Sequence, residues 1–169
     1  NSKKRTKREA RTTALIQNPN VVRIHGVEEV SGSTMLVYEY IKGQSGKDAF
    51  LTNRPRNMSL SYLLKMAEQM VSGVAAAHSK GVLHRDLKLD NVMINQEGVL
   101  KIADFGLGRV DGKNKKMIET MEHDLSCTGA GDILGTLRYI PPEGYESKED
   151  RKDKYTEKTD IYALGLTIY

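Results

Sequence analysis

The order of predicted elements indicates an α+β fold. Two runs rich in strand-forming residues, 21–27 and 34–41, are separated by a distance that suits a β-hairpin. Residues 59–79 repeat apolar side chains at helical spacing, and two short apolar runs, 92–94 and 100–102, follow as strands. Strands and helices in this combination predict the α+β class.

The first fifty residues also contain the breaks between elements. Residues 6–16 suit a helix, and Asn-Pro-Asn at 18–20 ends it because proline disfavours a helical residue before it. Ser-Gly-Ser at 31–33 predicts the turn of the hairpin. The polar, glycine-containing run 42–46 predicts a linker, and we place a domain boundary there.

The helix predicted at 59–79 is the longest element, and Gly81 marks its end. The stripe that we expect to pack on a core consists of Leu60, Leu63, Leu64, Ala67, Val71, Val74 and Ala75. A turn at 96–98 joins the two short strands that come next. Residues 111–132 are charged and poor in apolar side chains, which predicts a mobile loop, and a last helix begins near Thr159.

Composition and charge narrow the range of partners. The 169 residues include 26 Lys and Arg against 22 Asp and Glu, and much of the excess lies within residues 3–11. We interpret that cluster as a solvated helix face rather than a nucleic-acid or nuclear-import signal, so we expect no nucleic-acid partner. The single cysteine, Cys127, suits a reducing intracellular compartment, cytoplasmic or nuclear. No apolar run reaches membrane-spanning length, so we expect no membrane segment in these residues.

Two short motifs indicate the function. Residues 84–91 read His-Arg-Asp-Leu-Lys-Leu-Asp-Asn, and residues 104–106 read Asp-Phe-Gly. Nine of these letters are fixed, and at about one chance in twenty each the set would recur on the order of once in 10^11 random tries. In this order they resemble the catalytic loop and the metal loop of the eukaryotic protein kinase superfamily, serine/threonine type.

The resemblance implies a protein-kinase-like two-lobe fold. Residues 1–41 would be the end of the N-lobe, and residues 42–169 the first part of a mainly helical C-lobe. No glycine-rich loop or strand lysine precedes Glu9 in this sequence, and the family's partner for Glu143 would lie beyond residue 169. We therefore expect the central part of a kinase domain, truncated at both ends and inactive by itself.

Phosphoryl transfer requires that two oxygens be aligned and that phosphate charge be neutralised, and the resemblance assigns residues to both tasks. Asp86 would accept or orient the proton of the attacking hydroxyl, while Asn91 and Asp104 would supply oxygen ligands to Mg2+. Lys88 would place its ammonium on the transferring phosphate. Lysine at that place resembles kinases that act on Ser or Thr, and Thr136 fits the same group, although an ordinary turn threonine would look the same.

The run before the predicted linker resembles the strand that leads into the kinase hinge. Tyr38 would then be the gatekeeper residue. The backbone carbonyl of Glu39 and the backbone N–H and carbonyl of Ile41 would meet the adenine of ATP, and Met93 would form part of the apolar floor. The alternatives are a plain edge strand for this run and core packing for Met93.

Four more residues have supporting roles by resemblance. His84 and Phe105 would hold the catalytic and metal loops together, rather than act in acid–base chemistry. Asp160 would brace the catalytic loop through backbone N–H groups, although a simple helix N-cap is the alternative. Glu9 would pair with the strand lysine, or it would be a solvated helix residue.

The segment at 135–143 resembles the part of a kinase that seats the substrate peptide. Arg85 before the catalytic aspartate goes with switching by a phosphate in this family, yet Asp132 occupies the usual phosphorylated place. We hypothesise that Asp132 pairs with Arg85 and orders the loop in part, because a carboxylate carries less charge than a phosphate. Thr128 and Ser126 remain candidate phosphorylation sites.

These assignments predict ATP- and Mg2+-dependent phosphorylation of Ser or Thr hydroxyls on protein substrates. A kinase-like scaffold or pseudokinase is the alternative, but degenerate members commonly lose one of Asp86, Lys88, Asn91 and Asp104, and all four are present. A kinase of small molecules would not be expected to show the segment 135–143 in this form.

Overall fold

A computed structural model describes residues 12–31, 33–52, 58–105 and 156–169. Several features of the sequence analysis lie outside these ranges: Glu9 and most of the helix at 6–16, the loop at 111–132 with Ser126, Cys127, Thr128 and Asp132, and the segment 135–143 with Thr136 and Glu143. Within the described ranges, strands and helices mix as predicted, in two small antiparallel sheets and two long helices.

The predicted hairpin is confirmed, with shifted ends. Strand β1 (Ile24–Val30) pairs antiparallel with β2 (Ser33–Tyr38), in a register that places Ile24 opposite Tyr38. The strand begins later than predicted because residues 20–22 bond elsewhere: Asn20 O accepts from Ile102 N at 2.9 Å, and Val22 N donates to Ile102 O at 2.8 Å.

The second sheet contains β3 (Gly43–Ser45), β4 (Val92–Asn95) and β5 (Leu100–Ile102) in that order, all antiparallel. The two later strands match the prediction, but residues 43–45 form a strand where we expected a linker. A Cβ at Gly43 would collide with the Ile94 carbonyl oxygen, so glycine allows the close pairing with β4. The lobe boundary after residue 41 stays a prediction.

Helix α1 (Leu60–His78) confirms the predicted helix. Ser59 caps it, since its side chain accepts from Tyr62 N at 3.2 Å. The polypeptide leaves the helix through Gly81, whose φ of +67° lies in the left-handed region that glycine adopts without strain.

The buried face of α1 differs from the predicted stripe. Leu60 is 71% exposed and Leu64 is 60% exposed, and Val71 is exposed as well. The helix buries Met66, Met70, Gly73, Val74 and Ala77. Small residues decide this face, because a Cβ at Gly73 would lie 2.7 Å from the Asn20 carbonyl oxygen, and only a glycine lets the two backbones approach.

Helix α2 (Glu157–Ile168) confirms the helix predicted near the end of the sequence. Thr156 and Thr159 form a capping box. The Thr156 side chain accepts from backbone N–H groups of the first turn, and the Thr159 hydroxyl accepts from Thr156 N. The helix places Ala163 and Leu164 in the core that α1 and the second sheet share.

Short helical turns occur at Asp48–Thr52 and Leu89–Asn91. Of the helices in the described ranges, none combines the length and the apolar character needed to cross a membrane.

Two glycines inside helices provide a matched test of this packing. We expect Gly73→Ala to lower the free energy of unfolding by about 1 to 3 kcal/mol, because the added methyl group must displace backbone atoms. Nothing lies within 4 Å of a Cβ at Gly165, so Gly165→Ala should raise stability by up to about 1 kcal/mol through helix propensity alone. Thermal and denaturant unfolding of the full-length protein measures both, and a stabilising Gly73→Ala would show that the described contact is wrong.

Candidate active site

The catalytic loop follows α1 and is fixed by one buried carboxylate. Asp160, at the start of α2, accepts from His84 N at 2.7 Å through Oδ2 and from Arg85 N at 2.8 Å through Oδ1. The predicted brace is therefore confirmed. The alternative of a plain helix N-cap is wrong, because Thr156 occupies that position.

The brace offsets local strain. Arg85 has a φ of +69°, a left-handed conformation that costs a residue with a side chain roughly 1 to 2 kcal/mol. Such a conformation persists only where surrounding contacts determine it, and the bond from Asp160 to the Arg85 N–H is one of those contacts. The turn directs the next residue, Asp86, into the site.

His78, in the last turn of α1, completes the shell around Asp160. Its Nε2 lies 2.8 Å from Asp160 Oδ2, and the carboxylate side chain is only 1% exposed. A carboxylate buried this deeply requires several donors. No sequence pattern indicates this contact beyond a histidine near a helix C-terminus, where positive charge is favoured.

His84 joins the catalytic loop to the metal loop. Its Nε2 lies 2.9 Å from the Ala103 carbonyl oxygen, which can only accept, so Nε2 must carry the proton. This leaves Nδ1 to accept from Asp86 N at 3.3 Å. Burial lowers the pKa of His84 against the attraction of nearby carboxylates, Asp160 first among them, which agrees with a neutral ring.

The His84 ring also packs against Phe105, with ring centroids 4.7 Å apart. Both side chains are buried. This confirms that the two residues hold the loops together, and an acid–base role for His84 has no support because both ring nitrogens already have partners within the protein.

The three residues assigned to catalysis converge. Asp86 Oδ2 lies 3.0 Å from Lys88 Nζ. It also accepts from Asn91 Nδ2 at 3.2 Å, while the Asp86 backbone oxygen accepts from the same amide at 2.7 Å. Because Asn91 uses its amide nitrogen in this way, its Oδ1 is the atom suited to a metal ion.

The residues assigned to the metal also lie close together along the backbone. Asn91 O accepts from Ala103 N at 2.8 Å, and Asp104 is the next residue. Asp104 is exposed and has a φ of +59°. An exposed carboxylate suits Mg2+, which prefers oxygen ligands and keeps several waters. Among the described residues, no group of three or more His, Cys, Asp and Glu could hold a metal by itself.

Tyr38, predicted as the gatekeeper, lies at the end of β2 and within reach of the Asp104 charge. Burial and then the Asp104 carboxylate raise the pKa of the Tyr38 hydroxyl. That hydroxyl is buried without a hydrogen-bond partner among the described residues, so its approach to Asp104 falls short of hydrogen-bond geometry.

The residues assigned to adenine lie just after β2 and on β4. Met93 is half-buried on the face of β4 opposite to the buried Val92 and Ile94, so it is not a core residue of this sheet. The Glu39 N–H already has a hydrogen-bond partner, since it donates to Arg23 O at 2.9 Å. From the described residues, no hydrogen bond reaches the Glu39 carbonyl or the Ile41 N–H.

Comparisons with known proteins show the family of this chain. The sequence matches the family described as Protein kinase domain over residues 1–169, so the chain belongs to that family. It is 31% identical over 166 residues to the serine/threonine-protein kinase PrkC of Bacillus subtilis, a match that spans 98% of this chain and 23% of PrkC.

Two further relatives come from distant organisms. The chain is 32% identical over 170 residues to the serine/threonine-protein kinase pkn2 of Myxococcus xanthus, covering 98% of this chain and 18% of that protein. It is 32% identical over 173 residues to CBL-interacting protein kinase 25 of Oryza sativa, covering 96% of this chain and 30% of that protein. The chain thus spans less than a third of the length of each of these relatives.

The Asp160 brace can be tested by one substitution. In Asp160→Asn either orientation of the amide turns its NH2 toward one of the two backbone N–H groups, so one buried donor loses its acceptor. We expect the free energy of unfolding of the full-length protein to fall by about 1 to 3 kcal/mol.

Asp90→Asn is the matched control, because Asp90 pairs with Lys47 at 3.2 Å with both side chains 47% exposed, and exposed pairs contribute about 0 to 1 kcal/mol. Equal effects of the two substitutions would contradict a special role for Asp160.

Proposed function

We propose that this chain forms the catalytic centre of a serine/threonine protein kinase, which transfers the terminal phosphoryl group of ATP to a protein hydroxyl. The observation that carries the proposal is the convergence of Asp86, Lys88 and Asn91, with Asp104 joined to them through the backbone of Ala103. The family match and the intact motifs favour this function over a pseudokinase.

Asp86 is suited to the acceptor hydroxyl. Its side chain is 38% exposed, so a substrate hydroxyl can reach the carboxylate, which would accept the hydroxyl proton as the new bond to phosphorus forms. Asn91 and Lys88 hold the carboxylate in one orientation, which lowers the entropic cost of aligning the reactants.

Lys88 would share its ammonium between Asp86 and the phosphate that is transferred. The Nζ is already within 3.0 Å of Asp86 Oδ2, and a second anion at the same place would be stabilised as its charge develops. Asn91 Oδ1 and the Asp104 carboxylate would hold Mg2+, which neutralises phosphate charge when bound.

The acceptor and the nucleotide follow from the same residues. Lysine at position 88 favours Ser or Thr on a protein as the acceptor, and the names of two relatives, PrkC and pkn2, agree with that class. For ATP, the Glu39 carbonyl and the Ile41 N–H and carbonyl would meet the adenine edge above Met93. The support is that neighbouring described residues leave the Glu39 carbonyl and the Ile41 N–H unbonded.

Phosphoryl transfer by the full-length protein tests the proposal. With radiolabelled ATP, Mg2+ and a mixed protein substrate, we expect phosphoserine and phosphothreonine. Asp86→Asn should lower kcat by about 10^2 to 10^4 while nucleotide binding persists, because general-base groups contribute in that range. Asp104→Asn should weaken nucleotide binding only when Mg2+ is present.

The control variant is Asp90→Asn, which changes an exposed carboxylate of the same loop and should keep wild-type rates. A wild-type protein that transfers no phosphoryl group, or that yields only phosphotyrosine, would contradict the proposal, as would an Asp86→Asn variant with full activity.

A further inference from the structure

The side chain of Glu39 joins the segment after β2 directly to β5. Glu39 Oε1 accepts from Lys101 Nζ at 2.8 Å and from Arg23 N at 2.8 Å. The Glu39 side chain is 24% exposed and that of Lys101 is 17% exposed. An ion pair shielded to this degree is screened by salt less than a fully exposed pair.

The ion pair closes a ring of contacts between the predicted hinge and β5. On one side, Glu39 N donates to Arg23 O at 2.9 Å, and the neighbouring Val22 N donates to Ile102 O at 2.8 Å. On the other side, Lys101, the residue before Ile102, reaches Glu39 directly. The Glu39 segment is therefore held to β5 by backbone bonds and by a side-chain bond.

The position of Lys101 places this ring next to the residues assigned to ATP. Lys101 is paired with Met93 across β4 and β5, so their side chains lie on the same half-buried face of the sheet. Three residues further along, Asp104 is the proposed metal ligand. The ion pair thus connects the segment of the proposed adenine contacts to β5, the strand that leads to the metal loop.

The donors around Glu39 keep its carboxylate charged. Burial alone would raise the pKa of Glu39, but the hydrogen bond from Lys101, the Arg23 N–H and the Lys101 charge together bring it below its ordinary value. The carboxylate is ionised at neutral pH, so the pair is intact under the conditions in which a kinase works.

We propose that Glu39 and Lys101 act as a positioning pair, which holds the adenine-binding backbone at a fixed height above Met93 and thereby sets the affinity for ATP. Neither side chain reacts with the nucleotide. This inference rests on the proposed kinase function and adds a determinant of nucleotide affinity to it.

Lys101→Met tests the pair in the full-length protein, because methionine keeps most of the apolar side chain and removes the charge. We expect the KM for ATP, and the dissociation constant of a fluorescent ATP analogue, to rise about three- to tenfold. The kcat should stay within about twofold of wild type, since losing binding that is equal in the ground state and the transition state raises KM alone. Lys101→Arg keeps the charge and should restore both constants.

Two further variants separate positioning from general effects. Lys65→Met removes the same charge from an exposed position on α1 and should leave both constants unchanged. Glu39→Gln keeps an acceptor for Arg23 N but loses the charge, so its effect on KM should not add to that of Lys101→Met in the double variant.

The outcomes are distinct. A wild-type KM and dissociation constant in Lys101→Met would contradict the positioning role of the pair and leave the proposed kinase function standing. Additive effects in the double variant would contradict that role as well. Parallel losses of kcat, ATP affinity and thermal stability in both Lys101→Met and Lys101→Arg would indicate a role in folding only, and would also overturn it. A wild-type protein that binds no ATP would instead contradict the proposed function.

Discussion

The site depends on the buried carboxylate of Asp160. It receives two backbone N–H groups of the catalytic loop and the imidazole of His78, from elements that lie far apart in sequence. A charge buried to this extent is costly unless donors surround it, so the requirement to satisfy Asp160 fixes the backbone at His84 and Arg85. The left-handed turn at Arg85 then follows, and with it the direction of Asp86.

A second constraint joins the catalytic loop to the metal loop at Ala103. Both polar groups of its backbone are taken by the catalytic loop: its carbonyl oxygen lies 2.9 Å from His84 Nε2, and its N–H donates to Asn91 O at 2.8 Å. An alanine has no functional side chain, and its backbone nevertheless sets the position of Asp104 relative to Asn91. This arrangement requires a neutral His84 ring, because Nε2 donates to the Ala103 carbonyl oxygen while Nδ1 accepts from Asp86 N.

Much of the framework could be predicted from the sequence because it depends on local pattern. The helix at 60–78, the hairpin and the strands on either side of the 96–98 turn follow from periodicity, caps and turn residues. The motif residues of the site could be named because letters in fixed order identify a family, and the brace by Asp160 came from the same resemblance rather than from any physical pattern.

Contacts between distant parts of the sequence could not be predicted in this way. The contact of His78 with Asp160 spans 82 residues and that of Lys101 with Glu39 spans 62, and no local rule relates such positions. The packing face of α1 differs from the predicted stripe because Gly73 permits close approach to the Asn20 backbone. Hydrophobic periodicity identifies apolar side chains and does not identify glycines at close contacts. Likewise, residues 43–45 have the composition of a linker, and only their pairing with β4 makes them a strand.

A crystal structure of the full-length protein with Mg2+ and a non-hydrolysable ATP analogue tests the central claim most directly. We expect Asn91 Oδ1 and an Asp104 carboxylate oxygen on the same ion at about 2.0 to 2.1 Å, with the Asp160 carboxylate still bonded to the N–H groups of His84 and Arg85. A metal held by other residues, or an Arg85 in ordinary backbone conformation without the Asp160 contact, would contradict it.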